Sequence, residues 1–563
     1  MDRMTGANAI AKMLRKHGVE HFFHVPGGIT GLFPAMEDEG IELVMARSEK
    51  GAAYMADGYS RISFRPSVCF GQAGPGAINL AAGLSEPFWT CTPVIALTGS
   101  TDTGHVYKYQ YQELDEMPLF TPTTKWNVEI TRSDRAAEIM RDAFQVASSG
   151  CPGPVHVNLR YDASKGEADA PDLHVDPAYM GYPTKRYRPS AEDVKAVLDV
   201  ISQAQRPVIV AGGGVTISRA WDDVIRLAEI LATPVATTLN GKGTIPDAHP
   251  LSIGVVGRYS RAMTNRIVDE ADVVFFVGTR AGGMSTDNWS TPGQDAEIVQ
   301  LDIEPEAIGR NYDTRASMVC DAKLGLQDLT RAVEERLTNP APRGEYLRMI
   351  KEVKKEWERE AASVMSSEDV PIKPHRVIKE IRESLEKADI LVSDTGQMGA
   401  WTGVLYDTLA PGRRYIRAAG TLGWSLASAI GAKFAAGESN VLAVIGDGGV
   451  LYHIGEIETA LRWDKPFVTV VLNNGALGMI HLSLERNYGR KALKSSDFLD
   501  VDYGKVARSF GAHGERVTKP SELRGAIRSA LDSGKPAVID VVVDLHELSP
   551  MSFYRRLPGS RNL

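Results

Sequence analysis

Short apolar runs constrain this chain more than any other feature. Twelve segments rich in Val, Ile and Phe recur along it, alternating with stretches of helical periodicity. They read HFFHVPG, SVCFGQAG, PVIALTG, PVHVNL, RPVIVAGGG, TPVATTL, DVVFFVG, AEIVQLDI, DILVSD, VLAVIGDG, FVTVVLNN and PAVIDVVVD. Uninterrupted runs of this length between helices predict parallel strands buried on both faces. The expected fold is α/β, with three doubly wound parallel sheets. Two stretches break the rhythm. Residues 162–190 are polar and rich in Pro and Asp, and residues 338–374 run from TNPAPRG through a charged helical segment to DVPIKP. Read as connections, they give units at 1–165, 191–337 and 375–544, linkers at 166–190 and 338–374, and a tail at 545–563. The first and third units share a plan.

Composition narrows the function. The net charge of −8 leaves no basic face for nucleic acid, so no nucleic-acid partner is expected. Cys69, Cys91, Cys151 and Cys320 are far apart with no C-x-x-C spacing, which fits a reducing cytosol and argues against a structural zinc site. The opening MDRMTGANAIAKMLRKHG reads as an amphipathic helix. No apolar run reaches the roughly 18 residues of a membrane span. The expectation is a cytoplasmic protein with no membrane partner.

The stretch VIGDGGVLYHIGEIETALRWDKPFVTVVLNNGALGMI, Val444 to Ile480, carries the chemistry. A buried strand ends in glycines, and HIGEIETALRW places Ile454, Ile457 and Leu461 at helical spacing. A strand, a glycine turn and a helix start cradle a diphosphate, because bare backbone N–H groups and the helix dipole face the anion. The next strand ends on Asn473 and Asn474. Neighbouring parallel strands end on the same side, so Asp447 and Asn474 face one another. One carboxylate, one amide oxygen and a loop carbonyl make a hard oxygen set that suits Mg²⁺ and not zinc.

GDG followed by NN at this spacing resembles the signature of thiamin-diphosphate (ThDP) enzymes. Four further segments carry the resemblance across the chain: ARSEKGAAYMADGYSR (46–61), GQAGPGAINLAAGL (71–84), YQELDEMPLFTPTTKW (111–126) and AAGTLGWSLASAIGA (418–432). The similar branch contains acetolactate synthase, oxalyl-CoA decarboxylase and 2-hydroxyacyl-CoA lyase. The resemblance implies a pyrimidine-binding first unit, a middle unit without catalytic residues of its own and a diphosphate-binding third unit. It further implies that the two binding units of one site come from different subunits of a homodimer or homotetramer.

Residue by residue, the resemblance implies these roles. Glu49 matches the glutamate that hydrogen-bonds the cofactor pyrimidine and exchanges a proton with it. Leu422 matches the apolar wedge that bends the cofactor, and Gly420 offers its carbonyl to the amino group. Asp447, Asn474 and the Ala476 carbonyl would ligate Mg²⁺. Gly446, Gly448, Gly449 and Gln397 would line the diphosphate. Gln112 would steer substrate near the reacting carbon, and Gly27 and Gly28 of HVPGG would let a loop approach the same centre. His481 and Glu485 lie where relatives place substrate-facing side chains.

The reaction is less specified. Ser483 falls where acetolactate synthases usually carry tryptophan, and GTRAGGMSTDNW keeps only Arg280 of their usual flavin-contacting pattern. The acyl-CoA branch's usual pattern is absent there too. VIVAGGGV still puts Gly212, Gly213 and Gly214 at a strand end, and Arg280 and Asp302 follow later strand ends, with Asp302 able to take a ribose hydroxyl. In this branch the resemblance implies FAD without redox work, ADP, or nothing as the occupant. The tail carries Arg555, Arg556 and Arg561, which could meet CoA phosphates or a small carboxylate. The main expectation is acetolactate-synthase-like lyase or carboligase chemistry on a small 2-oxoacid. The alternative is 2-hydroxyacyl-CoA lyase or oxalyl-CoA-decarboxylase-like cleavage of an acyl-CoA, with ADP in the middle unit.

Overall fold

The structure, a computed structural model, describes residues 3–336 and 343–555. Three six-stranded parallel sheets, each flanked by helices, account for the chain's apolar rhythm. The first holds, in spatial order, Glu42–Met45, His21–His24, Ser67–Gly71, Val94–Ser100, Val155–Arg160 and Trp126–Ile130. The third holds Tyr415–Arg417, Ile390–Ser393, Val441–Gly446, Val468–Asn473, Ala537–Val542 and His513–Val517. Numbered along the chain, both have the order 2-1-3-4-6-5. The middle sheet holds Ser252–Val255, Val235–Thr237, Pro207–Ala211, Val273–Val277, Glu297–Asp302 and Thr314–Val319, the order 3-2-1-4-5-6 of dinucleotide-binding folds. The first and third units thus share one topology, and the middle unit has another.

The opening helix spans Gly6–Lys16, with the Thr5 hydroxyl accepting from the Asn8 N–H at its start. Just before it, Arg3–Thr5 pairs antiparallel with Glu167–Asp169, so the first connection is tied back to the chain's beginning. The second connection contains the 22-residue helix Gly344–Met365. Among the described residues no helix is long and apolar enough to cross a membrane.

The largest apolar cluster belongs to two units at once. Tyr54, Met55 and Ala56 of the helix Glu49–Ser63 pack with Trp424, Leu426 and Ala429 of the helix Trp424–Ala435. Glycine permits this closeness. A β-carbon at Gly431 would lie 1.8 Å from the Met55 carbonyl oxygen, and one at Gly58 would lie 2.1 Å from that of Ser428. A buried ion pair sits in the same seam. Arg61 donates to both oxygens of the fully buried Asp57 at 2.8 and 2.5 Å, and the Trp424 indole N–H donates to Asp57 at 2.9 Å. Removing one member of such a pair costs about 3–5 kcal/mol, because the other charge stays buried.

The middle unit is fastened to the third by another buried charge group. Asp247 accepts from Lys242 at 3.2 Å, from Arg261 at 2.9 Å and from the Thr408 N–H at 2.8 Å, while Arg261 also reaches Asp407 at 2.8 Å. Burial alone would raise the Asp247 carboxyl, but Lys242 and Arg261 beside it hold it at about 2.

The seam makes two predictions. Gly431→Leu should destabilise by at least the about 1–3 kcal/mol usual for overpacking, because backbone and not a flexible side chain stands in the way. Thermal unfolding checks this, and an unchanged midpoint would count against the contact. The second concerns Glu456, whose carboxylate accepts from the Arg47 N–H at 3.0 and 3.1 Å across the same seam. Burial pushes its carboxyl up to about 7, against hydrogen bonds from Thr459, Arg47 and Ser48 that favour ionisation. An unfolded glutamate titrates near about 4.3. The folded chain therefore binds the proton more tightly, and this contribution is complete at low pH and lost as pH rises through about 7. Glu456→Gln should flatten the fall in thermal midpoint between about pH 5 and pH 8. Melts of both proteins across that range test it, and parallel slopes would remove the assignment.

Candidate active site

The strand Val441–Gly446 ends on Gly446, and the helix Asp447–His453 begins at once. Periodicity had pointed to a helix only beyond the glycines. Gly448 and Gly449 instead lie in its first turn, because Asp447 anchors that turn. Its carboxylate accepts from the Gly448 N–H at 2.9 Å, the Gly475 N–H at 2.7 Å and the Ala476 N–H at 3.2 Å. Asp447 and the loop after Val468–Asn473 are therefore in contact, as adjacent parallel strand ends require. The Asn474 amide oxygen accepts from the Ala476 N–H at 3.2 Å. A β-carbon at Gly478 would lie 2.6 Å from both the Asn474 amide nitrogen and the Gln397 amide oxygen, so Gln397 joins this group.

These residues fit a divalent cation and a diphosphate. Asp447 is 3% exposed, and among the described residues no lysine or arginine pairs with it. Burial pushes its carboxyl up to about 6 in spite of four backbone N–H donors, so a cation there would relieve an unfavourable charge. The donor set is one carboxylate, one amide and one carbonyl, all hard oxygens. At Gly420 and Gly475 none of the described residues lies within 4 Å of the place a β-carbon would take, so bare backbone faces open space beside the strand ends.

The loop holding Gly420 and Leu422 is gripped from the first unit. Glu86, 1% exposed, accepts from the Ala419 N–H at 2.5 Å, the Gly420 N–H at 2.9 Å and the Thr421 N–H at 2.6 Å. From the third unit Asp394 accepts from the N–H groups of Gly423 at 3.2 Å and Ser425 at 3.0 Å. Leu422 lies half-buried between these two carboxylate grips.

Glu49 occupies a second group. It starts the helix Glu49–Ser63, and its carboxylate accepts from the Asn79 amide at 3.0 Å. A β-carbon at Gly76 would lie 3.0 Å from its Oε1, which sets it against the glycine-proline turn. Gln72 donates to the Gln112 side chain at 3.2 Å, and β-carbons at Gly27 and Gly28 would each strike the Gln72 amide oxygen at 2.6 Å. That oxygen is buried without a partner among the described residues. The Gly74 N–H donates to Glu116 at 2.6 Å, and burial pushes the Glu116 carboxyl up to about 7. Among the described residues no hydrogen bond or ion pair joins Glu49 to the Asp447 group.

The remaining candidates have specific surroundings. His481 is mostly buried, and its Nδ1 lies 2.7 Å from Asp497. Glu485 pairs loosely with His546 at 3.7 Å. Arg555 donates to the Ser260 hydroxyl at 2.9 Å, which engages it with the middle unit. Arg556 and Arg561 lie outside the described residues. Gly213, Arg280 and Asp302 line one cavity of about 520 Å³ that extends to Gly420 and Thr421. It opens at the switch point of the middle sheet, where the Gly214 N–H donates to the Gly278 carbonyl at 2.9 Å. Burial pushes the Asp302 carboxyl up to about 6.

The sequence reading did not find Glu86, Glu456, Gln72, Glu116 or Asp394. Asp394 had a signal, since it follows the run ILVS as Asp447 follows VLAVIG. Glu86 and Glu456 had none, because their partners lie 333 to 335 and 409 residues away in the chain.

Comparison with known proteins agrees with this geometry. Three models of the thiamine pyrophosphate enzyme family match: the N-terminal TPP binding domain at residues 4–119, the central domain at 194–329 and the C-terminal TPP binding domain at 394–541. The chain is 35% identical to a probable acetolactate synthase large subunit of Methanocaldococcus jannaschii, over 97% of this chain and 93% of that protein. It is 33% identical to the corresponding protein of Methanococcus aeolicus, over 96% and 92%. It is 28% identical to acetolactate synthase isozyme 3 large subunit of Escherichia coli, over 97% and 96%. These relatives do not favour the acyl-CoA alternative. With matches along nearly its whole length and two carboxylate-centred groups at the ends of its outer sheets, this chain belongs to the thiamine pyrophosphate enzyme family, as a ThDP-dependent enzyme of the acetolactate synthase type that forms carbon–carbon bonds.

Proposed function

We propose that this enzyme joins two small 2-oxoacids, pyruvate serving as the donor, with Mg²⁺ held by Asp447, Asn474 and the Ala476 carbonyl. The observation that carries the reading is the buried Asp447 carboxylate, aimed between two parallel strand ends and left without a cationic side chain. When bound, ThDP supplies a nucleophilic carbon and an electron sink for decarboxylating one 2-oxoacid and adding the remainder to another. The protein's part is to position and to move protons. Gly446, Gly448, Gly449 and Gln397 receive the diphosphate. Leu422 and the Gly420 carbonyl would hold the cofactor beside this loop, and Glu86 keeps the loop in place. Glu49 holds and returns a proton at the pyrimidine nitrogen. Gln112, with Gln72 behind it, orients substrate, and His481, fixed by Asp497, faces the second substrate with Glu485 at the rim.

Glu49 and Asp447 lie in separate groups of one chain, which supports a homodimer, or a tetramer of two such pairs, in which each site draws Glu49 from one chain and Asp447 from the other. The middle cavity takes an adenine nucleotide, FAD or ADP, with Arg280 toward its phosphates and Asp302 toward its ribose. Mass spectrometry of small molecules released from the purified protein separates these two.

Two measurements test the reading. Pyruvate should yield acetolactate only when ThDP and Mg²⁺ are both added, and Glu49→Gln should keep ThDP affinity while losing about 10²–10⁴-fold in turnover. Full turnover in that variant would remove the proton role. Asp447→Ala should weaken ThDP in a titration with Mg²⁺ and should abolish the difference between titrations with and without the metal. A surviving metal dependence would place the cation elsewhere.

A further inference from the structure

Two of the four cysteines meet at the wall of the middle cavity, although 60 positions separate them in the chain. Cys91 stands just after the short helix Ser85–Trp89, with a left-handed φ of 53°. Cys151 sits in the turn between Ala136–Ser148 and Val155–Arg160, and Lys125 pins that turn by donating to the Cys151 carbonyl at 2.7 Å. One guanidinium from the middle unit bridges them. An Arg280 terminal nitrogen lies 3.5 Å from the Cys91 sulfur and 3.7 Å from the Cys151 sulfur, while its Nε donates to Glu304 at 2.8 Å. Both thiols are half-buried and both line the cavity, so a small reagent reaches them through it.

We propose that Cys91 and Cys151 form a reversible disulfide by exchange with a low-molecular-weight disulfide that enters this cavity, Cys91 attacking and Cys151 resolving. The Cys91 thiol is lowered by its hydrogen bond from Cys151 and by Arg280, against burial, and the Cys151 thiol is raised. The arrangement is that of a redox-sensitive pair: a thiolate stabilised by a cation, next to a second thiol. The Cys91 thiolate attacks one sulfur of the small disulfide, and a mixed disulfide forms as one small thiolate leaves. The Cys151 sulfur, losing its proton to solvent, then attacks Cys91 and expels the second small thiolate. Two electrons pass from the protein pair to the small disulfide, which ends as two thiols. Cys69, buried away from the cavity and pushed upward by that burial, serves as an internal control. The exchange does not depend on the reaction proposed above, but a nucleotide bound in the cavity would compete with the small disulfide for entry and for Arg280.

The test uses the full-length protein with an excess of oxidised glutathione, followed by non-reducing peptide mapping. The expected product is one peptide pair joined through Cys91 and Cys151, lighter by about 2 Da and restored by dithiothreitol. Cys151→Ser should stop at a stable mixed disulfide on Cys91, and Cys91→Ser should give no cross-link. Arg280→Gln should slow modification of Cys91 about tenfold, with circular dichroism showing that the variant is folded. Both thiols remaining free in excess oxidant, equal labelling of Cys69, or first attack by Cys151 would overturn the proposal.

Discussion

The structure depends on one backbone contact, that between the helices Glu49–Ser63 and Trp424–Ala435. Gly58 and Gly431 let the two main chains approach to a distance no side chain could share. Two carboxyl grips cross this seam in opposite directions. Across it Glu456, from the third unit, takes the N–H of Arg47 just before the helix that begins with Glu49. In the other direction Glu86, from the first unit, takes three N–H groups of the loop before Leu422. Each half thus holds a segment of the other with one buried carboxyl group.

Parallel sheets explain why the chemistry collects where it does. All strands of a sheet end on one side, and the chain must turn there before its helix, so loops with free N–H groups gather at that edge. The outer units use their common 2-1-3-4-6-5 order to place Asp447 and Asn474 at one such edge and Gln72 and the Glu49 neighbourhood at the other. The middle unit, ordered 3-2-1-4-5-6, opens its own switch point into a cavity that reaches Gly420. The two kinds of site are therefore contiguous in space although their sheets differ in topology.

What could be read in the sequence follows burial. The twelve apolar runs correspond to the twelve inner strands of the three large sheets, while the six strands they leave out of those sheets are the two edges of each. An edge strand has one neighbour. Trp126–Ile130 is half-buried over most of its length and Thr314–Val319 alternates with solvent, so neither needs a continuous apolar run. Asp447 and Asn474 were legible because the motif is local, with each residue directly at a strand end. The helix start was misjudged because periodicity sees side chains, and Asp447 begins that helix through backbone hydrogen bonds. The grips of Glu86 and Glu456 left no local trace, since each is a single residue whose partner is set by tertiary packing.

The interlocked helices leave little room for hinge motion between the outer units, so those units behave as one rigid strut with a reactive group near each end. In the paired assembly proposed above, two antiparallel struts would enclose two pockets, each built from opposite tips.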